Sequence, residues 1–339
     1  MAVLRKVFDN IRRTRRIWIG TLLVILVMAA VGLTDRWLAF KEIDQSARGS
    51  LVNQVRLIEN HIGEHIRSIN TVLDQILIET THDGICDQTQ VERFGRQYPE
   101  FRSVSVIDAD GTIRCASLRE LIGQDRSTDR HFLAEKARPT KGALNVDPPF
   151  MAQSGIPIML FHKSVSDANS QLRMIVQLGV DLHTYDTLLD SLREKNQGIF
   201  LAHEGGVMLS RLPDPDRNRL RDASKAKSVF SVHRESGQAL TVVRSIVAAD
   251  QVDRYVAIAD VVPKHINPAP NGHLIVGLSE RVDRIFPYWW QQNLMLLSVW
   301  WLASMVLLVM AFKLARSQLQ TEDESRVPSN LQRRKSEQS

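Results

Sequence analysis

The sequence predicts an α+β protein: a long N-terminal stalk helix and two antiparallel-sheet modules, flanked by two helices apolar enough to cross a membrane. Three observations carry this prediction. IWIGTLLVILVMAAVGL (17–33) and LMLLSVWWLASMVLLVMAF (294–312) are uncharged over 17 and 19 residues, enough to span a hydrocarbon core of about 30 Å. Between them Leu51, Val55, Ile58, Ile62, Ile66, Ile69, Leu73 and Ile76 recur at steps of three and four, with no proline from 35 to 79. That spacing is the apolar stripe of one long helix, with three places to pack: its own domain, a second copy, or both. Beyond residue 80, short runs rich in Val and Ile alternate with Gly, Asp and Asn, the pattern of strands and turns.

The elements follow in order. Residues 1–16 are a basic flank, 17–33 the first span, 34–80 the stalk, 81–195 and 196–285 the two modules. Residues 291–312 form the second span and 313–339 a polar tail low in apolar residues, expected to be disordered. Trp18 and Trp37 bracket the first span, and Tyr288, Trp289 and Trp290 precede the second, as rings do at headgroup level. Arg5, Lys6, Arg12, Arg13, Arg15 and Arg16 hold the N-terminus in the cytoplasm, and Lys313 and Arg316 the C-terminus. Residues 34–290 then lie outside, in the periplasm of a bacterium with an outer membrane, and the chain is a two-pass protein of its inner (cell) membrane. The net charge of +5 gathers at these flanks and near the end at Arg333, Arg334 and Lys335. That distribution argues against a nucleic-acid partner.

Cys86 and Cys115 are the only cysteines. An even count in an oxidising compartment favours a disulfide over two buried thiols. HIGEH (61–65) matches the H-x-x-E-H metalloprotease pattern and puts His61 and His65 on one helix face. With no third ligand in context and the stripe residue Ile62 between them, a solvated helix face explains the pair, and no metal or cofactor is expected.

In the first module FRSVSVIDADGTIRCAS reads as strand, tight Asp-Gly turn and strand. LIGQDRSTDRHFLAEKA is a loop entering a short helix, with Ser127 or Thr128 as N-cap. PIMLFHKSV and LRMIVQLGV form a second hairpin around SDANSQ, and DLHTYDTLLDSL a helix. Together these give an antiparallel sheet with its helices on one side. The second module repeats the scheme: QGIFLAHEGGVMLSRLP is a hairpin, and KSVFSVH, ALTVVRSIV, RYVAIADVV and HLIVGLS read as strands. A hairpin near the start of each module amounts to a weak internal duplication.

These residues carry a family resemblance. VSVIDADGTIRCAS, GQDRSTDRHF, LGVDL and IFLAHEGGVMLSRLPD, set between two spans behind one long helix, resemble the double Cache sensor domain. This is a PAS-like, PDC-type extracytoplasmic domain of bacterial receptors such as diguanylate cyclases and histidine kinases. The resemblance covers about residues 35–290 and implies two PAS-like modules, the first membrane-distal and the second membrane-proximal. It also implies a small-molecule ligand in the distal module. Arg130 and Phe132 match the family's pocket arginine and aromatic, Asp181 its late aspartate, and Phe150 an aromatic wall. His162, in mid-strand, is a further candidate lining residue. Arg126 stands where the amino-acid-binding version carries tyrosine, and a second carboxylate expected soon after Phe150 is absent. Arg126 with Arg130 therefore suits a di- or tricarboxylate better than an α-amino acid.

No G-G-D-E-F stretch or phosphate-cradling glycine loop accompanies this body, so the chain is not expected to be an enzyme. The expectation is a membrane-anchored periplasmic sensor without its own output domain. It would act as a homodimer and signal through a membrane or cytoplasmic partner of cyclic-di-GMP or two-component type. The alternatives are a non-transmitting remnant of a split receptor, or an envelope enzyme or structural protein on the same fold.

Overall fold

The structure, a computed structural model, describes residues 14–82, 85–140, 142–247, 251–287 and 289–336. Arg5, Lys6, Arg12 and Arg13 of the basic flank, and Tyr288, lie outside the described residues. The elements run α1 (Arg15–Thr80), β1 (Thr81–His82), β2 (Ile85–Cys86), α2 (Gln88–Gln97), β3 (Ser103–Asp108), β4 (Ile113–Ala116) and α3 (Arg130–Ala137). They continue with β5 (Asn145–Val146), β6 (Phe150–Met151), β7 (Pro157–Ser166), β8 (Leu172–Asp181) and α4 (His183–Leu192). The second module holds β9 (Gly198–His203), β10 (Met208–Leu212), α5 (Pro215–Asn218), α6 (Val229–Ser236), β11 (Leu240–Val247), β12 (Val252–Val261) and β13 (Leu274–Arg281). It closes with α7 (Val282–Ile285), and α8 (Trp289–Ser336) follows.

Two compact units result, Ser46–Ile285 and Met1–Gln45 with Phe286–Ser339. The second unit carries both apolar stretches, each in a helix long and apolar enough to cross a membrane. None of the apolar window of α1 is buried. Within this unit the Phe40 ring stacks on Phe286 at 5.1 Å and meets Trp289 edge-on at 5.6 Å. The first span and the stalk are one uninterrupted helix. The tail, expected to be disordered, instead continues α8 to Ser336; its Gln, Glu, Arg and Lys are good helix formers.

In the first unit all eight stripe residues of α1 are buried, from Leu51 to Ile76. Burying each such side chain contributes about 1.5–3 kcal/mol, so the stripe fixes the helix on its own domain. Polar contacts extend the docking along both modules. Gln197 donates to Gln54 at 2.8 Å, Arg67 to the Lys264 carbonyl at 3.2 Å, Tyr98 to Gln75 at 3.2 Å and Lys163 to Asp74 at 2.5 Å.

The two sheets share one plan. Strand order is β4-β3-β8-β7-β5 in the first, with β6 also on β7, and β10-β9-β13-β12-β11 in the second; every ladder is antiparallel. Position by position, hairpin matches hairpin and the helix after the crossover loop matches its counterpart. The weak duplication in the sequence is therefore a full one in topology. The modules also touch: Asn271 donates to Asn145 at 3.1 Å, and His203 Nε2 donates to the Val146 carbonyl at 3.1 Å.

Helices cover both faces of each sheet, not one side as the sequence suggested. Neighbouring strand residues point to opposite faces, and Lys163 reaches Asp74 of α1 while His162 faces Glu135 of α3. Likewise Tyr255 lies under Arg48 of α1, while Val256 packs with Phe230 of α6. KSVFSVH is a helix where a strand was expected. The Ser228 hydroxyl caps it by accepting from the Ser231 amide, Gly237 ends it in the left-handed region, and Phe230 and His233 are buried one turn apart. These caps override the β-branched composition. The first-module helix starts after Asp129, not Ser127 or Thr128.

The Asp-Gly turn also has a tertiary role. Gly111 sits at φ +98°, and a Cβ there would come within 2.6 Å of the Ser127 Cα, because the crossover loop lies on the turn (Arg126 amide to Gly111 carbonyl, 2.7 Å). Gly111→Ala is expected to cost about 1–3 kcal/mol, read as a lowered denaturant midpoint with an unchanged slope.

Candidate functional site

On the face of the first sheet turned away from α1, the register aligns a floor of small and polar side chains. Successive rungs are Ser103–Gly179–Leu160 and Ser105–Gln177–His162, and Phe150–Ile158–Asp181 lies further along. Gln177 donates to Ser105 Oγ at 2.8 Å. Its Oε1 is buried with no hydrogen-bond partner among the described residues. Buried polar atoms are nearly always paired, so such an atom marks a place for water or ligand.

One end of this face holds a charged cluster. His162 Nδ1 lies 3.1 Å from Asp147 Oδ2 and its Nε2 lies 3.6 Å from Glu135 Oε1. Burial works against the imidazolium, but hydrogen bonds and charge from Asp147 and Glu135 outweigh it and raise its pKa to about 9. Burial also works against the Glu135 carboxylate, yet His162, Ser164 and Thr140 hold it at about 2. Thr140 gives Glu135 both its amide (3.0 Å) and its hydroxyl (2.8 Å). The His131 ring sits 5.7 Å from that of His162 and is pushed toward the neutral form, first by burial and then by His162 and Arg126 against the pull of Asp147 and Asp129. Its Nε2 is buried without a hydrogen-bond partner among the described residues.

The other end centres on Asp181. Its carboxylate accepts from the His183 amide at 2.9 Å and lies 2.7 Å from His183 Nδ1, which sets the start of α4. Burial raises its pKa, but His183 and the charge of Arg102 lower it further. The two ends are four residues apart along β7, about 13 Å at strand rise.

The six residues chosen from sequence divide accordingly. His162 and Arg126 belong to the charged cluster, and Phe150 and Asp181 share the rung at the far end. Phe132 is wholly buried among Ile107, Ile113, Ala116, Leu172 and Ile175, a core position. Arg130 begins α3 with an exposed side chain. Arg126 is engaged by Gln124 (2.6 Å) and Asp129 (3.6 Å), so the two arginines do not form a buried anion clamp. Asp147, His131, Glu135, Gln177 and Arg102 were missed. His131 and Glu135 stand four apart beside the Arg130-x-Phe132 motif, the spacing of one helix face, and Gln177 interrupts an otherwise apolar strand; both signals were readable.

The HIGEH histidines lie in different surroundings. His61 is exposed, whereas His65 meets the Tyr185 ring at 5.7 Å and is pushed toward the neutral form by burial. Among the described residues no group of three His, Cys, Asp or Glu side chains is placed to hold a metal ion.

Known structures share this fold. The chain matches the extracellular domain of a proposed histidine kinase, rpHK1S-Z16, at a TM-score of 0.60 and 16% identity, over 71% of this chain and 97% of that one. It matches the ligand-binding domain of the Pseudomonas aeruginosa PAO1 amino acid chemoreceptor PctB, solved with L-Arg, at 0.53 and 13%, over 71% and 98%. The ligand-binding domain of the Pseudomonas fluorescens chemoreceptor CtaA, solved with L-isoleucine, gives 0.53 and 14%, over 75% and 98%. No protein-family profile matches the chain, and no curated protein matches it. The body thus shares its fold with these extracytoplasmic ligand-binding domains, and an apolar helix stands on either side of it in sequence.

Proposed function

We propose that the chain is a small-molecule sensor anchored in a bacterial inner membrane, with residues 34–290 in the periplasm. The ligand occupies the first module, on the polar face between the His162 cluster and Asp181. Arg126 and Arg130 stand at its rim, where they can meet a carboxylate. Occupancy is passed through the two membrane helices to a signalling partner of two-component or cyclic-di-GMP type, with the protein acting as a homodimer. The supporting observation is the floor of Ser103, Ser105, Gly179 and Gln177, which puts polar groups on the sheet face opposite the stalk, with Gln177 Oε1 buried and without a hydrogen-bond partner among the described residues.

The test is thermal unfolding of the full chain in lipid nanodiscs against L-amino acids and di- and tricarboxylates. A true ligand at 100 times its Kd adds about 2.7 kcal/mol, and Arg126→Ala and Asp181→Asn are each expected to abolish the shift. A midpoint unmoved across the panel, or a shift that both variants keep, would refute the reading.

A further inference from the structure

The second module has its own cavity, about 480 Å³, between its sheet and the crossover loop that leads to α6. Small-molecule sites run about 300–1,000 Å³. Because the sheets share one strand order, this cavity is the topological counterpart of the polar face described above. Its chemistry differs. Phe200, Met208, Val256 and Phe230 line its apolar part, and Gly277 leaves the space that the Phe200 ring fills (a Cβ there would fall 2.0 Å from it).

The rim is cationic. Arg211, Arg221, Lys225 and Lys227 line the cavity against one carboxylate, Asp222. That carboxylate is already engaged by the Ser224 amide (2.7 Å) and hydroxyl (2.5 Å). The adjoining recess shares Arg211 and Arg221 with the main cavity and adds Arg217 and Arg254 against one carboxylate, Asp214.

The lip that carries Arg221 is held from both sides. Leu220 and Ala223 donate to the Met208 and Gly206 carbonyls at 2.9 and 2.7 Å, and Met208 donates back to the Arg221 carbonyl at 2.9 Å. Gly206, at φ +90°, leaves no room for a Cβ beside Ser224. Arg219, buried, pairs with Asp186 of α4 at 2.6 Å. Leu220 and Lys227, at φ 59° and 63°, bracket the lip in a left-handed conformation that L side chains rarely adopt. A preorganised cationic lip over an apolar floor fits one ligand chemistry.

We propose that the second module is a separate binding site for an organic anion with a compact apolar body, such as an aromatic or short-chain carboxylate. The apolar part enters between Phe200, Val256 and Phe230, and the carboxylate meets Arg221 at the lip. The site stands on its own cavity and does not depend on a ligand in the first module.

Benzoate and hexanoate are the probes, with benzylamine as the cation of matched shape, titrated calorimetrically into the full chain in zwitterionic nanodiscs. The acids are expected to bind and benzylamine not to. Arg221 is exposed, so Arg221→Gln is expected to fold normally and to weaken benzoate at least tenfold, and raising salt from 50 to 300 mM is expected to weaken it further. Arg126→Ala with Arg130→Ala is expected to leave benzoate binding intact. Three outcomes overturn the proposal: no acid binding up to 10 mM, equal binding of benzylamine, or binding lost in the Arg126/Arg130 variant and kept in Arg221→Gln.

Discussion

Reducing the Cys86–Cys115 disulfide is expected to remove about 3.5 kcal/mol from the folded body, the chain-entropy value for a crosslink across 29 residues. The bond joins β2, just after the stalk, to Cys115 on the edge strand β4, where that side chain is almost wholly buried. Without it, the two-residue hairpin of β1 and β2 loses its covalent tie to the sheet. For a body of this size the loss corresponds to a fall in Tm of roughly 7–14 °C. Scanning calorimetry of the oxidised chain, of the chain held in a phosphine reductant, and of a Cys86→Ala/Cys115→Ala double variant measures it. Coincident transitions in all three would mean that the crosslink adds nothing.

His162→Gln is expected to cost about 3–5 kcal/mol, because it leaves the buried Glu135 and half-buried Asp147 carboxylates without their cation. The pH dependence gives a sharper test. The folded pKa of His162 lies above its ordinary 6.5, so its contribution is complete below 6.5 and is lost as pH rises through about 9. Glu135 behaves oppositely: its pKa lies below 4.5, so its contribution is complete above 4.5 and is lost as pH falls toward 2. His65, His131 and His203 are pushed toward neutrality, chiefly by burial, and cost stability as they charge below 6.5. Wild-type stability should therefore peak near pH 6.5. The gap between wild type and His162→Gln in denaturant titrations should narrow from pH 6.5 to 9.5. A gap that stays constant over that range would show that the imidazolium does not hold the cluster.

What was legible in the sequence follows from the range of the interactions. The stalk stripe could be read in full, since a helix repeats its buried face every three or four residues and all eight positions are buried. The hairpins could be read because Asp110-Gly111 and Gly205-Gly206 make turns from adjacent residues. The helix at 229–236 could not, because Val229, Phe230 and Val232 look like strand residues and only the Ser228 and Gly237 caps reveal it. His162 was singled out, but its partners Glu135 and Asp147 come from α3 and the end of β5, a juxtaposition made by the sheet and not by local spacing. Arg126 and Arg130 suggested an anion fork through the family resemblance of the motif around them. The Asp129 cap between them keeps Arg126 at the loop and sends Arg130 into solvent.

The even seating of the stalk has a consequence for movement. Its eight buried side chains fill sockets at unequal steps of three and four residues, so an advance of one pitch, near 5.4 Å, would leave part of the row out of register. Smaller slides would wedge every tooth against a socket wall at once, and close-packed interiors resist that. Sub-ångström strain is therefore the response this rack accommodates, and gradual creep is not.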